Sequence, residues 1–323
     1  MNRTPMILLL LALTLSACAP QAAAPTATPT ALPTSQPLTA IPTSTPASAT
    51  APVVVESATQ PGNPTFAPPT AAFVPQVTAM NNPYAVILVL PGDVLNIRSA
   101  AGVGHGIVGT LQPTASGVNR TGSETNAGGD RWVEIQNPAG GTGWVNAHFL
   151  TEQVSSASFC ADPRVTNLLN SLKIAMLNAD GELLGSLVSP VHGMDLRLWR
   201  YGTVANYSPK EAAWVFQSDY EVSWGPAPGS GEETRGTFNA QPLPKLTEVF
   251  GANYSLHCND TLDLATFSLE PFPPEYANVN FYTVYKPGSE TYGGLDWRAW
   301  TVGVEYVQGQ PKLFSLIHYQ WEP

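Results

Sequence analysis

Apolar and polar residues divide the chain into four stretches of different character. A short apolar run, residues 6–15, precedes a polar stretch that extends to residue 83 without a periodic apolar face. From residue 84 to residue 150, short apolar runs alternate with Gly-rich turns, which is typical of a small all-β fold. From residue 154 onward, apolar residues at helical spacing are followed by strand-like runs. The pattern predicts two folded domains behind a long linker.

The first folded segment, residues 84–153, contains five strand-like runs. They are residues 85–89, 95–98, 107–111, 131–136 and 142–146. Gly-rich turns separate them. Short strands at this spacing predict a small barrel.

Five motifs follow one another in the same segment. They are Leu95-Asn96-Ile97-Arg98-Ser99, Val108-Gly109-Thr110-Leu111, Trp132-Val133-Glu134-Ile135, Gly143-Trp144-Val145 and Phe149-Leu150. In this order they resemble the bacterial SH3 family (SH3b, SH3 type 3). The resemblance implies an SH3-like all-β barrel that binds peptidoglycan or other cell-wall material. Residues 112–129 depart from the family, because Thr, Ser, Asn and Gly replace the expected charged and β-branched strand.

Four residues near the long loop are candidates for ligand contact: Asn96, Arg98, His105 and Trp132. Their polar groups could hydrogen-bond to a glycan or peptide, and their rings could stack on it. For Arg98 the alternative is a buried hydrogen bond that fixes the loop. Trp144 is predicted to belong to the core.

Residues 154–323 form the second predicted domain, long enough for its own core. Asp162-Pro163 precedes apolar residues at helical spacing and predicts a helix start. Ser208-Pro209-Lys210-Glu211 is a capping box that predicts a second helix. Residues 242–250, followed by Gly251, predict a third.

Seven strand candidates lie between and after these helices. They are residues 183–188, 194–199, 220–224, 254–258, 280–285, 299–307 and 312–321. The last two flank Gln308-Gly309-Gln310 and predict a hairpin. Because the strands cluster late in the chain, we expect an α+β domain with an antiparallel sheet. Only a short polar link joins it to the first segment, so we expect the two to fold separately.

The first 17 residues have the features of a signal peptide. Arg3 supplies a positive charge, and the apolar run after it is too short to span a bilayer comfortably. It ends in Leu15-Ser16-Ala17-Cys18, which resembles the bacterial lipobox. The resemblance implies cleavage before Cys18 and lipidation of its thiol, which would anchor the chain to a membrane on the extracytoplasmic side. An ordinary secretory signal, in which Cys18 is incidental, is the alternative.

Residues 18–83 are predicted to be a lipidated Cys followed by a disordered linker. The linker is built mainly of Pro, Thr, Ala and Ser and holds a single charged residue, Glu56. Nothing in such a stretch offsets the conformational entropy lost on folding.

The charge of the chain limits its possible binding partners, and its cysteine content indicates how the thiols are used. With 24 Asp+Glu against 14 Lys+Arg, the chain offers no basic surface for phosphates, so no nucleic-acid partner is predicted. Apart from Cys18, only Cys160 and Cys258 remain, and an even number in an exported chain predicts a disulfide. The alternative makes one of them a catalytic nucleophile.

Catalytic chemistry is not recognisable in residues 154–323. The 5 His residues of the chain include no His-Glu-x-x-His or His-x-His pair, so no metal and no cofactor is predicted. Glycosidases use a pair of carboxylates, but the sequence does not give the separation of such a pair. The candidates are Asp195, Glu221, Asp296 and Glu305.

These observations favour a non-catalytic, lipid-anchored protein of the cell envelope. Its SH3b domain would engage peptidoglycan, or another envelope glycan or protein, while the C-terminal domain binds a ligand or partner. The alternatives are a cell-wall hydrolase targeted by the SH3b domain and a transporter-associated binding lipoprotein. A pocket that gathers His192, His257 or His318 with carboxylates would favour the enzyme, and a scattered arrangement would favour binding.

Overall fold

The computed structural model describes residues 83–262 and 273–322. The predicted signal peptide, Cys18 and all but the last residue of the predicted linker lie outside the described residues. The described residues belong to one compact unit. Within it we distinguish a small sheet module, residues 83–153, and a C-terminal region, residues 154–322. Both are mostly β, with antiparallel sheets and few helices.

Seven strands form the small sheet module. They are β1 (Tyr84–Val86), β2 (Leu95–Arg98), β3 (Ile107–Leu111), β4 (Arg120–Ala127), β5 (Asp130–Gln136), β6 (Thr142–Asn146) and β7 (Leu150–Glu152). The middle five form one antiparallel sheet in the order β3-β2-β6-β5-β4, and β1 pairs with β7. Each of the five predicted runs overlaps a strand. In the described residues no ladder joins the edge strands β3 and β4, so closure of the predicted barrel is not observed.

Strand β4 occupies the stretch in which the sequence shows Thr, Ser, Asn and Gly in place of the family's strand. A strand is present there after all, and most of its side chains are exposed. It lies at the edge of the sheet, where backbone hydrogen bonds to β5 hold it and no side chain has to be buried. Polar composition therefore did not exclude a strand at this position.

Five α-helices lie in the C-terminal region. They are α1 (Ser156–Cys160), α2 (Pro163–Asn178), α3 (Gly181–Leu187), α4 (Pro209–Trp214) and α5 (Pro242–Phe250). Three were predicted, and the capping signals that predicted them are present. The Asp162 carboxylate accepts a hydrogen bond from the Arg164 backbone at the start of α2, and Ser208 and Glu211 form the capping box of α4. Gly251 ends α5.

Helix α3 corrects the strand predicted for residues 183–188. The Asp180 carboxylate caps the helix by accepting a hydrogen bond from the Leu183 backbone at 3.0 Å. Leu184 is fully buried. A short apolar run does not by itself distinguish a buried strand from a buried helix, which is why the prediction was wrong.

Eight strands complete the C-terminal region. They are β8 (Met194–Arg197), β9 (Val204–Tyr207), β10 (Val222–Pro226), β11 (Glu233–Gly236), β12 (Ser255–Cys258), β13 (Asn280–Lys286), β14 (Arg298–Val307) and β15 (Gln310–Gln320). Six of them form one sheet in the order β12-β13-β14-β15-β8-β9, and β10 pairs with β11. Only the β15–β8 pair is parallel. The predicted hairpin is confirmed as β14–β15, with Gln308 and Gly309 at positive φ as a tight two-residue turn requires.

The two parts share a buried apolar interface. Ile87 follows β1 in the small sheet module, and its side chain is fully buried in a cluster with Tyr276, Phe314 and other residues of the C-terminal region. The Leu88 backbone N–H donates to the Glu275 carbonyl oxygen at 2.7 Å. The expectation that only a short polar link joins the two parts is wrong.

A buried polar cluster lies at the same interface. The Glu305 carboxylate of β14 is 2.8 Å from Nδ1 of His192 and accepts a hydrogen bond from Thr151 of β7 at 3.3 Å. His192 Nε2 is 3.0 Å from the carbonyl oxygen of His148. Nδ1 of His192 thus faces the carboxylate of the C-terminal region and Nε2 faces a backbone carbonyl oxygen of the small sheet module, so the ring bridges the two parts.

Cys160, at the end of α1, and Cys258, in β12, form the predicted disulfide, with 5.8 Å between their Cα atoms. The bond joins residues 98 positions apart. Closing a loop of that length contributes about 4.7 kcal/mol in the chain-entropy account. Because both thiols are consumed, neither is free to act as the alternative catalytic nucleophile.

Candidate functional site

A cleft of about 320 Å³ opens on the small sheet module. Three of the four residues predicted to contact a ligand line it: Asn96, Arg98 and Trp132. They come from β2 and β5, which are not neighbours in the sheet. Separate sequence motifs therefore converge on one concave surface, whose volume lies in the range of small-ligand sites.

Strand β2 positions two of these side chains by simple alternation. Leu95 and Ile97 point into the module core and are buried, so the side chains between them, Asn96 and Arg98, emerge on the opposite face. The core thereby fixes the direction in which both polar groups project.

Arg98 lies in the cleft and also holds the neighbouring loop, through a hydrogen bond that is exposed rather than buried. Its side chain lines the cleft, and its Nη1 donates a hydrogen bond to the carbonyl oxygen of His105 at 2.8 Å. That bond ties down the loop between β2 and β3. His105 itself departs from the prediction: it contributes its carbonyl oxygen, while its side chain is exposed and does not line the cleft.

Trp132 forms part of the cleft wall from within the core. Only 3% of the residue is exposed, and its indole N–H donates to the Ala127 carbonyl oxygen at 3.2 Å. Its cross-strand partner in β6 is Asn146, another lining residue, whose side-chain oxygen accepts from the His148 backbone at 2.9 Å. Trp132 can therefore offer a ligand ring surface but not its indole proton. Trp144, expected in the core, is half-buried.

Charges in the cleft balance. Arg98 is the one cation among the lining residues and Asp93 the one anion. Two exposed aliphatic side chains, Leu90 and Val103, add apolar surface. Balanced charge, carboxamides and apolar surface together suit an amphipathic ligand such as a glycan or a peptide.

Several lining residues were not proposed from the sequence, among them Leu90, Asp93, Val103 and Asn146. A signal existed for Asp93, which follows the turn residues Pro91-Gly92, and for Asn146, which caps a short 3-10 helix. No signal distinguishes Leu90 and Val103 from core residues, because exposure of an aliphatic side chain is a property of the folded chain.

The candidate histidines do not gather around this cleft. His192 is buried against Glu305, His318 is buried elsewhere, and His257 lies 3.8 Å from the Asp260 carboxylate on the surface. Within the described ranges, no group of three or more His, Cys, Asp or Glu residues is arranged to hold a metal ion.

The four candidate carboxylates have different hydrogen-bond partners. Asp195 accepts hydrogen bonds from the Tyr276 hydroxyl and the Asn206 side chain. Asp296 accepts from the backbone of Ser289. Glu305 pairs with a histidine at the interface, and Glu221 is exposed. No hydrogen-bond partner among these is shared by two of the four carboxylates.

In the part of the chain that the structure describes, no helix has the length and apolar character needed to cross a bilayer.

Comparison with known proteins gives one match. Residues 93–151 match the family model of the bacterial SH3 domain. The matched segment extends from the turn before β2 into β7 and includes Asn96, Arg98 and Trp132. The C-terminal region matches no family. No curated protein and no solved structure matches the chain.

Proposed function

From the match of residues 93–151 to the bacterial SH3 domain, we propose that the small sheet module binds cell-wall material, peptidoglycan first of all. Bacterial SH3 domains are typically cell-wall binding modules. The observation that carries the proposal is the convergence of Asn96, Arg98 and Trp132 on one charge-balanced cleft. The same family match supports the proposal that the strands of the module close into an SH3-like barrel. We also propose that the C-terminal region is an α+β domain, because five helices accompany its mostly antiparallel sheet.

The protein is further proposed to be a lipoprotein of the cell envelope, attached through Cys18 on the extracytoplasmic side of a membrane. The apolar run before Leu15-Ser16-Ala17-Cys18 supports this proposal. The linker would let the small sheet module reach wall material while raising its local concentration there.

Binding is favoured over hydrolysis as the role of the C-terminal region. The scattered histidines support this choice, because a hydrolase needs its acid and base within reach of one substrate. The hydrolase alternative predicts that the protein alone clears a suspension of purified sacculi. A turbidity assay that shows clearing would make the enzyme the better proposal.

Retention by purified sacculi tests the cleft. Asn96→Ala removes a lining carboxamide and should lower affinity about 2- to 10-fold, the usual effect of one lost hydrogen bond. Arg98→Ala should lower it further, because it also frees the loop held at His105. Arg131→Ala, in the same module but outside the cleft, is the matched control and should bind like the wild type. Equal retention of all four proteins would contradict the proposal.

Membrane fractionation tests the anchor. Cys18→Ala should release the protein into soluble fractions or block its maturation, because the acyl chains supply the membrane affinity. If the variant is processed normally and retained as well as the wild type, the anchoring proposal fails.

A further inference from the structure

A second cleft, of about 410 Å³, lies in the C-terminal region between β9, α4 and the start of β10. Its walls are predominantly apolar and aromatic. The aromatic residues are Tyr207, Trp214, Tyr220 and Phe238. Glu211 is the one charged residue that lines it. No His, Cys or basic residue takes part in this described lining, so the cleft differs in chemistry from the one in the small sheet module.

Two of the aromatic residues are unusually exposed for their size. Trp214 is 61% exposed and Tyr220 is 75% exposed. Large aromatic side chains bury 150–250 Å² each when they pack, so leaving both in water forgoes a large apolar contribution. Two such side chains beside one cleft indicate a surface that is covered when a ligand binds.

The cleft has a rigid frame. Val215 and Phe238 are buried, and the Phe238 ring packs edge-on against Tyr207 with 6.1 Å between ring centroids. The Trp214 carbonyl oxygen accepts hydrogen bonds from the backbone of Gln217 and of Ser218, each at 3.0 Å. The Tyr220 backbone N–H donates to the Ser218 hydroxyl at 3.2 Å. Backbone hydrogen bonds thus hold the segment that carries both exposed aromatics, and such preorganisation lowers the entropy cost of binding.

A hydrogen-bond donor and an acceptor accompany the rings. Burial raises the pKa of Tyr207 to about 12, so its hydroxyl keeps its proton at neutral pH. That hydroxyl makes no hydrogen bond to another described residue. Hydrogen bonds from Ser208 lower the pKa of Glu211 and engage its Oε2 alone, which leaves Oε1 of an ionised carboxylate without a described partner.

We propose that this cleft binds an uncharged sugar ring of an envelope glycan. The C–H face of the ring would stack on Trp214 and Tyr220, while sugar hydroxyls accept from Tyr207 and donate to Glu211. A hydroxyl group both donates and accepts, which matches this pair of protein groups. An anionic sugar would meet the Glu211 carboxylate with no cation beside it, and an ammonium ion offers no acceptor for the Tyr207 proton. The site does not depend on ligand binding by the small sheet module.

Titration of the full chain with two neutral oligosaccharides, chitotetraose and maltotetraose, tests the proposal by tryptophan fluorescence and calorimetry. At least one should bind. Trp214→Ala should weaken that binding about 2- to 10-fold, the range for a lost aromatic contact. Tyr207→Phe should weaken it by a similar factor, because it deletes one hydroxyl and keeps the ring.

Two controls make the result specific. Tyr292→Ala removes a tyrosine that is 65% exposed but lies outside the cleft, and it should leave binding unchanged. Asn96→Ala should also leave it unchanged, which separates this site from the cleft in the small sheet module. Circular dichroism of each variant checks that the fold is retained.

Three outcomes would overturn the inference. They are no binding of either oligosaccharide at millimolar concentration, equal binding by Trp214→Ala and wild type, and Trp214-dependent binding of tetramethylammonium that is tighter than binding of either sugar. The last would identify the aromatic residues as a cation site.

Discussion

His318 is a buried imidazole with a single hydrogen bond. Its Nδ1 donates to the Leu198 carbonyl oxygen at 3.2 Å, and its Nε2 is buried without a partner in the described structure. The Trp300 ring lies 4.9 Å away, centroid to centroid. Burial, with the positive charges of Lys245 and Arg298, lowers the pKa of His318 well below its usual value. The folded chain therefore holds this ring neutral at a pH where the unfolded chain would protonate it.

Acidification should destabilise the protein through this residue. Below about pH 6.5 the unfolded state binds the extra proton, so the free energy of unfolding falls as the pH falls, by up to about 1.4 kcal/mol per pH unit for one such group. His148 acts in the same direction, since burial and the nearby His192 lower its pKa. Urea unfolding between about pH 7.5 and pH 5.5 should show a smaller slope for His318→Gln than for the wild type. The exposed His105→Gln is the control, and identical slopes in all three proteins would refute this account.

Single residues were predictable where their chemistry is local. Asp162 capped its helix as expected, and Cys160 paired with Cys258 because few other partners existed. His105 was misplaced because sequence proximity to a loop does not fix where a side chain points. The exposure of Trp214 could not be predicted, since exposure cannot be read from residue type alone.

Helices α3 and α4 pack more closely than most side chains would permit. A Cβ atom on Gly185 would lie 2.6 Å from the Pro209 carbonyl oxygen and 3.0 Å from the Cβ of Ala213. A Cβ on Gly181 would collide with the Ala213 carbonyl oxygen. These glycines are needed for close approach of two helices, and α4 carries Trp214 at its end.

Gly185→Ala should therefore destabilise the fold, by about 1–3 kcal/mol, the range for overpacking. Helix propensity alone would predict a gain of about 1 kcal/mol, so the sign of the effect decides between packing and propensity. Gly104→Ala, at a loop glycine with no atom within 4 Å of the added Cβ, is the matched control and should be neutral or slightly stabilising. Denaturant unfolding of both variants measures the difference, and a stabilised Gly185→Ala would contradict the packing argument.

Helices and strands were predicted correctly where the signals that define them come from residues close in sequence. Caps defined α2 and α4, and the Gln308-Gly309 turn defined the long hairpin, because each depends on neighbours in sequence. Edge strand β4 and helix α3 depend on residues distant in sequence. As a result, β4 was not predicted as a strand, and α3 was predicted as a strand instead of a helix. Strands β9 and β11 were missed altogether.

One apolar run, residues 85–89, contributes side chains to both parts and so joins them. Val86 packs in the core of the small sheet module, whereas the next residue, Ile87, packs among residues of the C-terminal region. A run of consecutive apolar residues, rather than alternating ones, is typical of a strand buried on both faces. That pattern in residues 85–89 was the available sign of the interface.

The loss of stability caused by Ile87→Ala should accordingly depend on whether the C-terminal region is present. In the full chain it should cost about 2–5 kcal/mol, as for other buried aliphatic truncations. In residues 84–153 expressed alone, where the partner surface is missing, it should cost less than about 1 kcal/mol, and that segment should be the less stable protein. Hydrogen exchange of the module strands in both proteins checks this, and an equal cost in the two would show that Ile87 stabilises the module by itself.

The attachment of β1 also determines how the folded part responds to pulling. Under the proposed anchoring, tension along the linker first reaches Pro83 and Tyr84. Backbone hydrogen bonds hold these residues on two sides, since Tyr84 both donates to and accepts from Val118, at 2.7 and 2.8 Å, and the Pro83 carbonyl oxygen accepts from Gln153 at 2.8 Å. A force that pulls a strand away from a single neighbour breaks its hydrogen bonds one at a time. Here the hydrogen bonds to two neighbouring segments have to break together. If the linker is anchored as proposed, the described start of β1 should therefore resist pulling better than a strand held by a single neighbour would.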